Sequence, residues 1–257
     1  MLKEMTLDGT WRDKEEIAIR RLQSFKSPDG ATYFAFGGGK DSTVTYDLAK
    51  RAGIEIEPHF HFTTVDPPEL LQHIKKNFPE VIWDRPKKSM FQLIEHKHTP
   101  PTRRVRYCCE VLKEYGGRGR RVITGVRQDE SANRAHRRMF ERCVKNDETY
   151  YINPIIDWTE EDVWEYIHKY NLPYCSLYDE GFKRIGCIMC PLAKVEQRER
   201  EADRWPKFYN AYMRCFERML KHKPESHVLQ WRDAKDVMHW WLYEKHDDGM
   251  VQCELFG

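Results

Sequence analysis

No run of the 257 residues is apolar enough, for long enough, to cross a bilayer. The opening MLKEMTLDGT also lacks the apolar core of a secretory signal, so no membrane partner is expected and a cytoplasmic location is. Internal repeats and low-complexity linkers are missing, which excludes solenoid arrays and domains strung on flexible tethers. There is no excess of charge of one sign: 43 Lys and Arg against 41 Asp and Glu leave a formal net charge of +2. What is present fits a folded α/β chain. Hydrophobic residues make up 40% and aromatics 13%, enough to build a core despite 33% charged residues. The charge is unevenly spread, with twelve basic residues against five acidic ones between positions 103 and 142. Such a stripe suits either a solvated face or an anionic partner, nucleotide or nucleic acid.

Apolar runs and helical patterns alternate along the first two thirds of the chain. Residues 15–25 read as an amphipathic helix. The aromatic run 31–36 reads as a buried strand, and 41–52 as a helix stopped by Gly53. Strands are expected again at 54–62, 81–83 and 121–127, with helices at 67–78, 89–97 and 159–170. Strands alternating with helices at this spacing predict a mostly parallel twisted sheet flanked by helices. From Lys194 onward the pattern is helical and charged, giving a C-terminal helical region. Trp205, Trp231, Trp240 and Trp241 within it read as packing residues rather than a platform for stacking bases.

Between the first strand and its helix lie Gly37, Gly38 and Gly39, then Lys40, Asp41 and Ser42. Three glycines let backbone N–H groups approach an anion, and Lys40 adds a positive charge at a helix N-terminus. The spacing is not that of the P-loop, whose lysine directly precedes Ser or Thr. It resembles the Ser-Gly-Gly-Lys-Asp-Ser signature of the pyrophosphate-loop ATPases, with Gly37 where that signature begins with serine. The resemblance implies that this loop seats the phosphates of ATP.

The eight cysteines are not expected to form a disulfide framework in a reducing compartment. Two close pairs stand out, Cys108 with Cys109 and Cys187 with Cys190. Several segments resemble the phosphoadenylyl-sulfate reductase family. They are TTVDPPE at 63–69, TGVRQDES at 124–131 with Arg134, NPIIDWT at 153–159 and VWEYI at 163–167. LPY at 172–174, LYDEG at 177–181, RIGC at 184–187, and Cys190 with Pro191 continue the match. The family implies an adenine nucleotide α-hydrolase-like fold. On that reading residues 1–30 are a helical lead-in, 31–192 the reductase-like phosphate-loop domain and 193–257 the C-terminal helical region. It further implies that Cys108, Cys109, Cys187 and Cys190 hold a [4Fe–4S] cluster, with Lys113 nearby to offset its charge. A zinc ion held by the same four cysteines is the structural alternative. Cys143, Cys175, Cys215 and Cys253 read as small buried hydrophobes, Cys253 being the one to watch.

Fold family does not choose the chemistry. Reductases of this family carry a C-terminal Glu-Cys-Gly-Leu/Ile-His motif, whereas this chain ends in QCELF at 252–256. Their phosphate loop is degraded, whereas Lys40, Asp41 and Ser42 are present here. The combination resembles the ATP pyrophosphatase subunits of bacterial DNA phosphorothioation systems. It implies ATP with Mg²⁺, an adenine site near Phe62 and Thr63, and phosphates held by residues 37–42 and Gly125. Charge neutralisation would come from Lys40, Mg²⁺, Arg127 and Arg134, with Asp41 counted beside Lys40 among the catalytic residues. Asp66 reads equally as a holder of Mg²⁺ or water and as a helix cap. Arg127, Glu130, Ser131 and Arg134 are also open to a purely structural ion-pair reading. Implied partners are nucleic acid, foremost DNA, a sulfur donor such as a cysteine desulfurase, and other subunits of a modification system. Reduction of adenylyl sulfate or its 3′-phosphorylated form, and a non-catalytic nucleotide-sensing role, remain alternatives.

Overall fold

The aromatic run around Tyr33 and Phe34 has no polar face to offer water, and it becomes the centre of the main sheet. In the computed structural model, which describes residues 1–5, 10–132, 134–143, 148–222 and 231–243, the elements follow in order. β1 (Lys3–Met5) and β2 (Trp11–Asp13) pair antiparallel, then come α1 (Lys14–Phe25), β3 (Thr32–Ala35), α2 (Lys40–Arg51) and β4 (Ile56–His61). Next are α3 (Pro68–Asn77), β5 (Ile82–Asp84), α4 (Met90–Lys97), α5 (Tyr107–Leu112) and β6 (Arg121–Ile123). The chain continues with β7 (Phe140–Arg142), β8 (Tyr150–Ile152), α6 (Glu160–Lys169), α7 (Val195–Arg204), α8 (Pro206–Lys221) and α9 (Ala234–Tyr243).

Among the described residues the main sheet has six strands in the order β5-β4-β3-β6-β8-β7. All neighbours are parallel except β7 with β8. The order reverses between β3 and β6, and ligands of doubly wound sheets sit at the carboxyl ends of such a pair. Alternate residues of the strands face opposite sides. Phe34 packs edge-on against Tyr46 of α2 at 5.7 Å, and Phe36 against Tyr46 and Phe78 at 5.6 and 4.8 Å. On the other face Tyr33 stacks on His59 at 4.4 Å and its hydroxyl meets His61 Nε2 at 2.7 Å.

Two of the helices open on capping boxes. Ser89 opens α4 through a capping box with Gln92, and Thr159 opens α6 through one with Asp162. The expected fourth strand is shorter than its pattern, ending at Ile123 with the Thr124 N–H still bonded to Ile152 O, because Gly125 and Arg127 turn to meet the start of α2. The short strands β7 and β8 and helix α5 had no clear periodicity to announce them.

The chain divides into two compact units, interleaved in sequence. One takes residues 1–61, 68–84 and 115–185, and so holds the sheet with α1, α2, α3 and α6. The other takes 62–67, 85–114 and the chain from 186 onward, and so holds α4, α5, α7, α8 and α9. In the second unit, α8 buries Tyr212, Cys215, Phe216 and Met219, the spacing of a single helix face. Trp241 of α9 lies 4.9 Å from Tyr212 and 5.6 Å from Phe216, and its indole N–H donates to Pro101 O at 2.7 Å. Trp205, Trp231 and Trp240 are buried as well, so these tryptophans are core.

Candidate functional site

The phosphate-loop residues sit in the sheet unit, after β3 and at the N-terminus of α2. Gly39 is the N-cap of α2 and supplies no side chain to accept from the first turn, so the helix's positive end stays open. Gly38 has φ +69°, and a Cβ there would stand 2.6 Å from Ile74 Cδ1 and 2.9 Å from Leu70 Cδ1 of α3. Backbone conformation and packing therefore both demand glycine at that turn. Lys40 is buried with its chain, and its ammonium donates to Lys183 O at 3.1 Å, with Glu160 at 3.5 Å and Asp41 at 3.7 Å. Its backbone N–H donates to the Tyr178 hydroxyl at 3.0 Å. Ser42 turns its hydroxyl back to Gly39 O at 2.9 Å, and the buried Thr43 hydroxyl has no hydrogen-bond partner.

A carboxylate in the first turn of α2 would repel an arriving phosphate unless it were neutralised. Asp41 is neutralised by Arg127, whose Nε donates to Oδ1 at 2.5 Å. Arg127 Nη1 is shared between Asp129 and Trp158 O, both at 3.3 Å, and its backbone N–H goes to Glu130 at 3.0 Å. Arg134 pairs with Glu130. Of the expected arginines, Arg127 is thus brought beside the loop through Asp41, and Arg134 is held by Glu130, which accepts the Arg127 N–H. Gly125 is the reason β6 can come so close: a Cβ on it would lie 2.9 Å from the Asp41 carbonyl carbon and oxygen and 3.0 Å from Ser42 N.

Thr63, Asp66, Lys113 and the four cysteines belong to the helical unit. Cys108 and Cys109 lie in the first turns of α5; Cys187 and Cys190 lie on a turn closed by Cys190 N–H to Cys187 O at 3.2 Å. Met189 in that turn has φ +59°, and its N–H is taken by the buried Glu201 at 2.5 Å. The segment 62–67 packs against the turn: Ile188 N–H donates to Val65 O at 2.8 Å, and the Cys187 thiol to Thr63 Oγ1 at 3.4 Å. Asp66 turns back to accept the Thr63 N–H at 2.7 Å, and burial pushes its pKa up against the pull of Lys113.

The cysteines feel one another. A hydrogen bond between neighbours raises the Cys108 pKa and lowers that of Cys109 to about 6, with Lys113 and Arg106 adding to the latter against the effect of burial. The Lys113 pKa is raised, first through its interaction with Cys187 and against the effect of burial, so it stays protonated. Burial raises the Cys187 pKa, opposed by Lys113. Among the described residues, no three of His, Cys, Asp and Glu converge as a single metal ion requires. The other three thiols nevertheless lie within electrostatic range of Cys108, and a four-iron cluster spreads its ligands wider than one ion does. Donor chemistry and the adjacent cation fit such a group.

A model of the phosphoadenosine phosphosulfate reductase domain matches residues 31–193. The chain belongs to that family. The matched span contains the phosphate loop, Arg127, Arg134 and both cysteine pairs. An uncharacterized protein of Methanocaldococcus jannaschii is 31% identical over 86% of the chain and 56% of its own length. An adenosine 5′-phosphosulfate reductase of Staphylococcus haemolyticus is 30% identical over 66% of the chain and 74% of its own. The chain thus spans little more than half of the archaeal relative. Among solved structures, phosphoadenylyl-sulfate reductase of Candida auris superposes with TM-score 0.51 over 68% of the chain and 87% of its own, at 21% identity. The domain has the fold that the strand–helix alternation and the family resemblance implied, a mostly parallel sheet of the adenine nucleotide α-hydrolase-like kind.

Tyr178 and Glu160 become neighbours of Lys40 only in the fold. Both lie in or next to matched segments, yet no local pattern says that position 178 will fold onto position 40. The basic stripe between 103 and 142 is also less open than its composition. Arg120 pairs with Glu57 at 2.6 Å, Arg137 with Glu141, and Arg121 donates to Lys26 O at 2.8 Å. No helix among the described residues is long and apolar enough to cross a membrane. Cys253 lies outside the described residues.

Proposed function

We propose that the chain is an ATP pyrophosphatase that activates a nucleic-acid substrate, foremost a DNA backbone phosphate, for sulfur insertion. The observation that carries this reading is the open N-terminus of α2, glycine-lined and flanked by the buried Lys40. In it the β- and γ-phosphates of ATP, with Mg²⁺, take the free N–H groups of α2 and the Lys40 ammonium. A substrate oxygen attacks the α-phosphorus in line, the bond to the bridging oxygen breaks, and pyrophosphate leaves. Lys40 serves by neutralising charge that builds on the departing pyrophosphate. Arg127 serves by cancelling Asp41, and Gly125 by letting that pair close on the loop. Sulfur from a donor such as a cysteine desulfurase is released as hydrosulfide from its persulfide by an external thiol that becomes a disulfide. It then attacks the activated phosphorus; the P–S bond forms as the P–O bond to AMP breaks, and AMP leaves. A [4Fe–4S] cluster held by Cys108, Cys109, Cys187 and Cys190 would supply iron–sulfur chemistry when bound, with Lys113 balancing its charge.

Incubation of the purified protein with ATP, DNA and a sulfur donor should release pyrophosphate. Lys40→Ala should lower that release by about 100-fold or more; full activity in this variant would sink the mechanism. Mass spectrometry of digested DNA, from cells with and without the gene, should show phosphorothioate dinucleotides that depend on it.

The second reading is reduction of adenylyl sulfate or its 3′-phosphorylated form. It is favoured by the name of the Staphylococcus haemolyticus relative. Sulfite release from adenylyl sulfate, abolished by Cys253→Ser, would establish it in place of the first.

A further inference from the structure

The hydroxyls around the α2 N-terminus are not equivalent. Positions 37, 38 and 39 are glycine and offer none. Ser42 has already given its proton to Gly39 O. Tyr178, on a single 3₁₀ turn formed by Ser176–Tyr178, accepts the Lys40 N–H at 3.0 Å. Among the described residues its own O–H donates to no protein acceptor. The phenol stands 3.2 Å from where a Cβ on Gly39 would be, and its ring centroid is 5.3 Å from the Lys40 ammonium. Trp164 of α6 meets the ring edge-on at 5.3 Å, and Tyr174 meets Trp164 in the same way at 5.3 Å, so the ring is held in place from the α6 side. Burial raises the phenol's pKa, so it stays protonated and remains a donor.

We infer that Tyr178 is a phosphate ligand, its hydroxyl giving the pyrophosphate group at the α2 N-terminus the side-chain O–H that positions 37–39 lack. The inference rests on the reading of the loop as an ATP-phosphate site. An anion that approaches the open N–H groups of α2 also approaches the Tyr178 phenol, whose oxygen already holds the Lys40 N–H and whose proton is unengaged. That proton adds a hydrogen bond to a charged acceptor, the stronger kind. Tyr178 and Lys40 would then grip the same group, the phenol by direction and the ammonium by charge.

The test is calorimetric titration of the full chain with inorganic pyrophosphate and, separately, AMP. Tyr178→Phe keeps the ring and loses only the hydroxyl. It should weaken pyrophosphate binding about tenfold, roughly 1.4 kcal/mol, and leave AMP binding unchanged. Gly37→Ser has room, since the nearest atom to a Cβ there is Ser42 Oγ at 3.8 Å. Added to Tyr178→Phe, it should recover a large part of the lost affinity. Equal pyrophosphate affinity in wild type and Tyr178→Phe overturns the inference while the loop reading stands, provided Lys40→Ala still loses binding. Equal loss for pyrophosphate and AMP, with a lowered melting temperature, marks a structural role and also overturns it. If wild type and Lys40→Ala both ignore pyrophosphate, the loop reading fails and the inference falls with it.

Discussion

Gly125 decides how near β6 can bring Arg127 to the phosphate loop. Its missing Cβ faces backbone atoms of Asp41 and Ser42 at 2.9–3.0 Å, and backbone cannot rotate out of the way as a side chain can. Gly125→Ala should therefore cost about 1–3 kcal/mol of stability. It should also lower pyrophosphate release by about tenfold or more through displacement of the Asp41–Arg127 pair. Gly186→Ala, where no atom lies within 4 Å of the added carbon, should shift stability by less than about 0.5 kcal/mol. Chemical denaturation of both variants checks the contrast. His73 on α3 shows a second residue-scale effect. It is buried, its Nδ1 meets Asn77 Nδ2 at 3.0 Å, and its Nε2 has no hydrogen-bond partner. Burial lowers its pKa from 6.5 to about 4. Between those values the unfolded chain binds a proton that the folded one refuses, so stability is full above pH 6.5 and falls as the pH drops toward 4. The loss is on the order of 3 kcal/mol. His73→Leu should flatten that part of the melting-temperature profile; an unchanged profile would assign the acid sensitivity to other groups.

The helices differ in how they are anchored. α2 starts without a side-chain cap, as an anion site must, whereas α6 starts with a complete one. The Thr159 hydroxyl accepts the Asp162 N–H at 3.2 Å, and the Asp162 carboxylate accepts the Thr159 N–H at 2.8 Å. Asp162 is also salt-bridged to the buried Lys14 at 2.7 Å. Because α6 carries both Glu160 beside Lys40 and Trp164 beside Tyr178, its first turn steadies the phosphate loop from the side. Thr159→Ala should cost about 1 kcal/mol, read as a lower urea midpoint with unchanged slope. The start of α6 was legible because its capping box is local, a hydroxyl and a carboxyl three residues apart. Helix α5 and strands β7 and β8 were not, because six-residue and three-residue elements carry too few side chains to show a period. Their pairing is supplied by neighbours distant in sequence.

At the scale of the whole molecule, the phosphate loop and the cysteine pairs belong to different units, although their residues alternate along the chain. Asp66 and Thr63 go with the cysteines and Gly125 with the loop. Damage to one site should leave the other unit's content intact. Lys40→Ala should lose pyrophosphate release and keep its iron, and Cys187→Ser should lose iron first. Metal analysis beside the activity assay reads both. Simultaneous loss in each variant would mean that the two sites do not form separately.

The sequence by itself determined the alternating strands and helices, the glycine loop with Lys40, Asp41 and Ser42, and the two cysteine pairs. Each of these is written in residues close together, where periodicity, turn chemistry and motif spacing act. Only the tertiary structure decided that Arg127 is spent on Asp41, that Asp66 faces Thr63 and Lys113, and that the Tyr178 hydroxyl meets the Lys40 N–H. These contacts join positions up to 138 apart, and sheet order, close glycine packing and buried charge pairing select them without leaving a local trace.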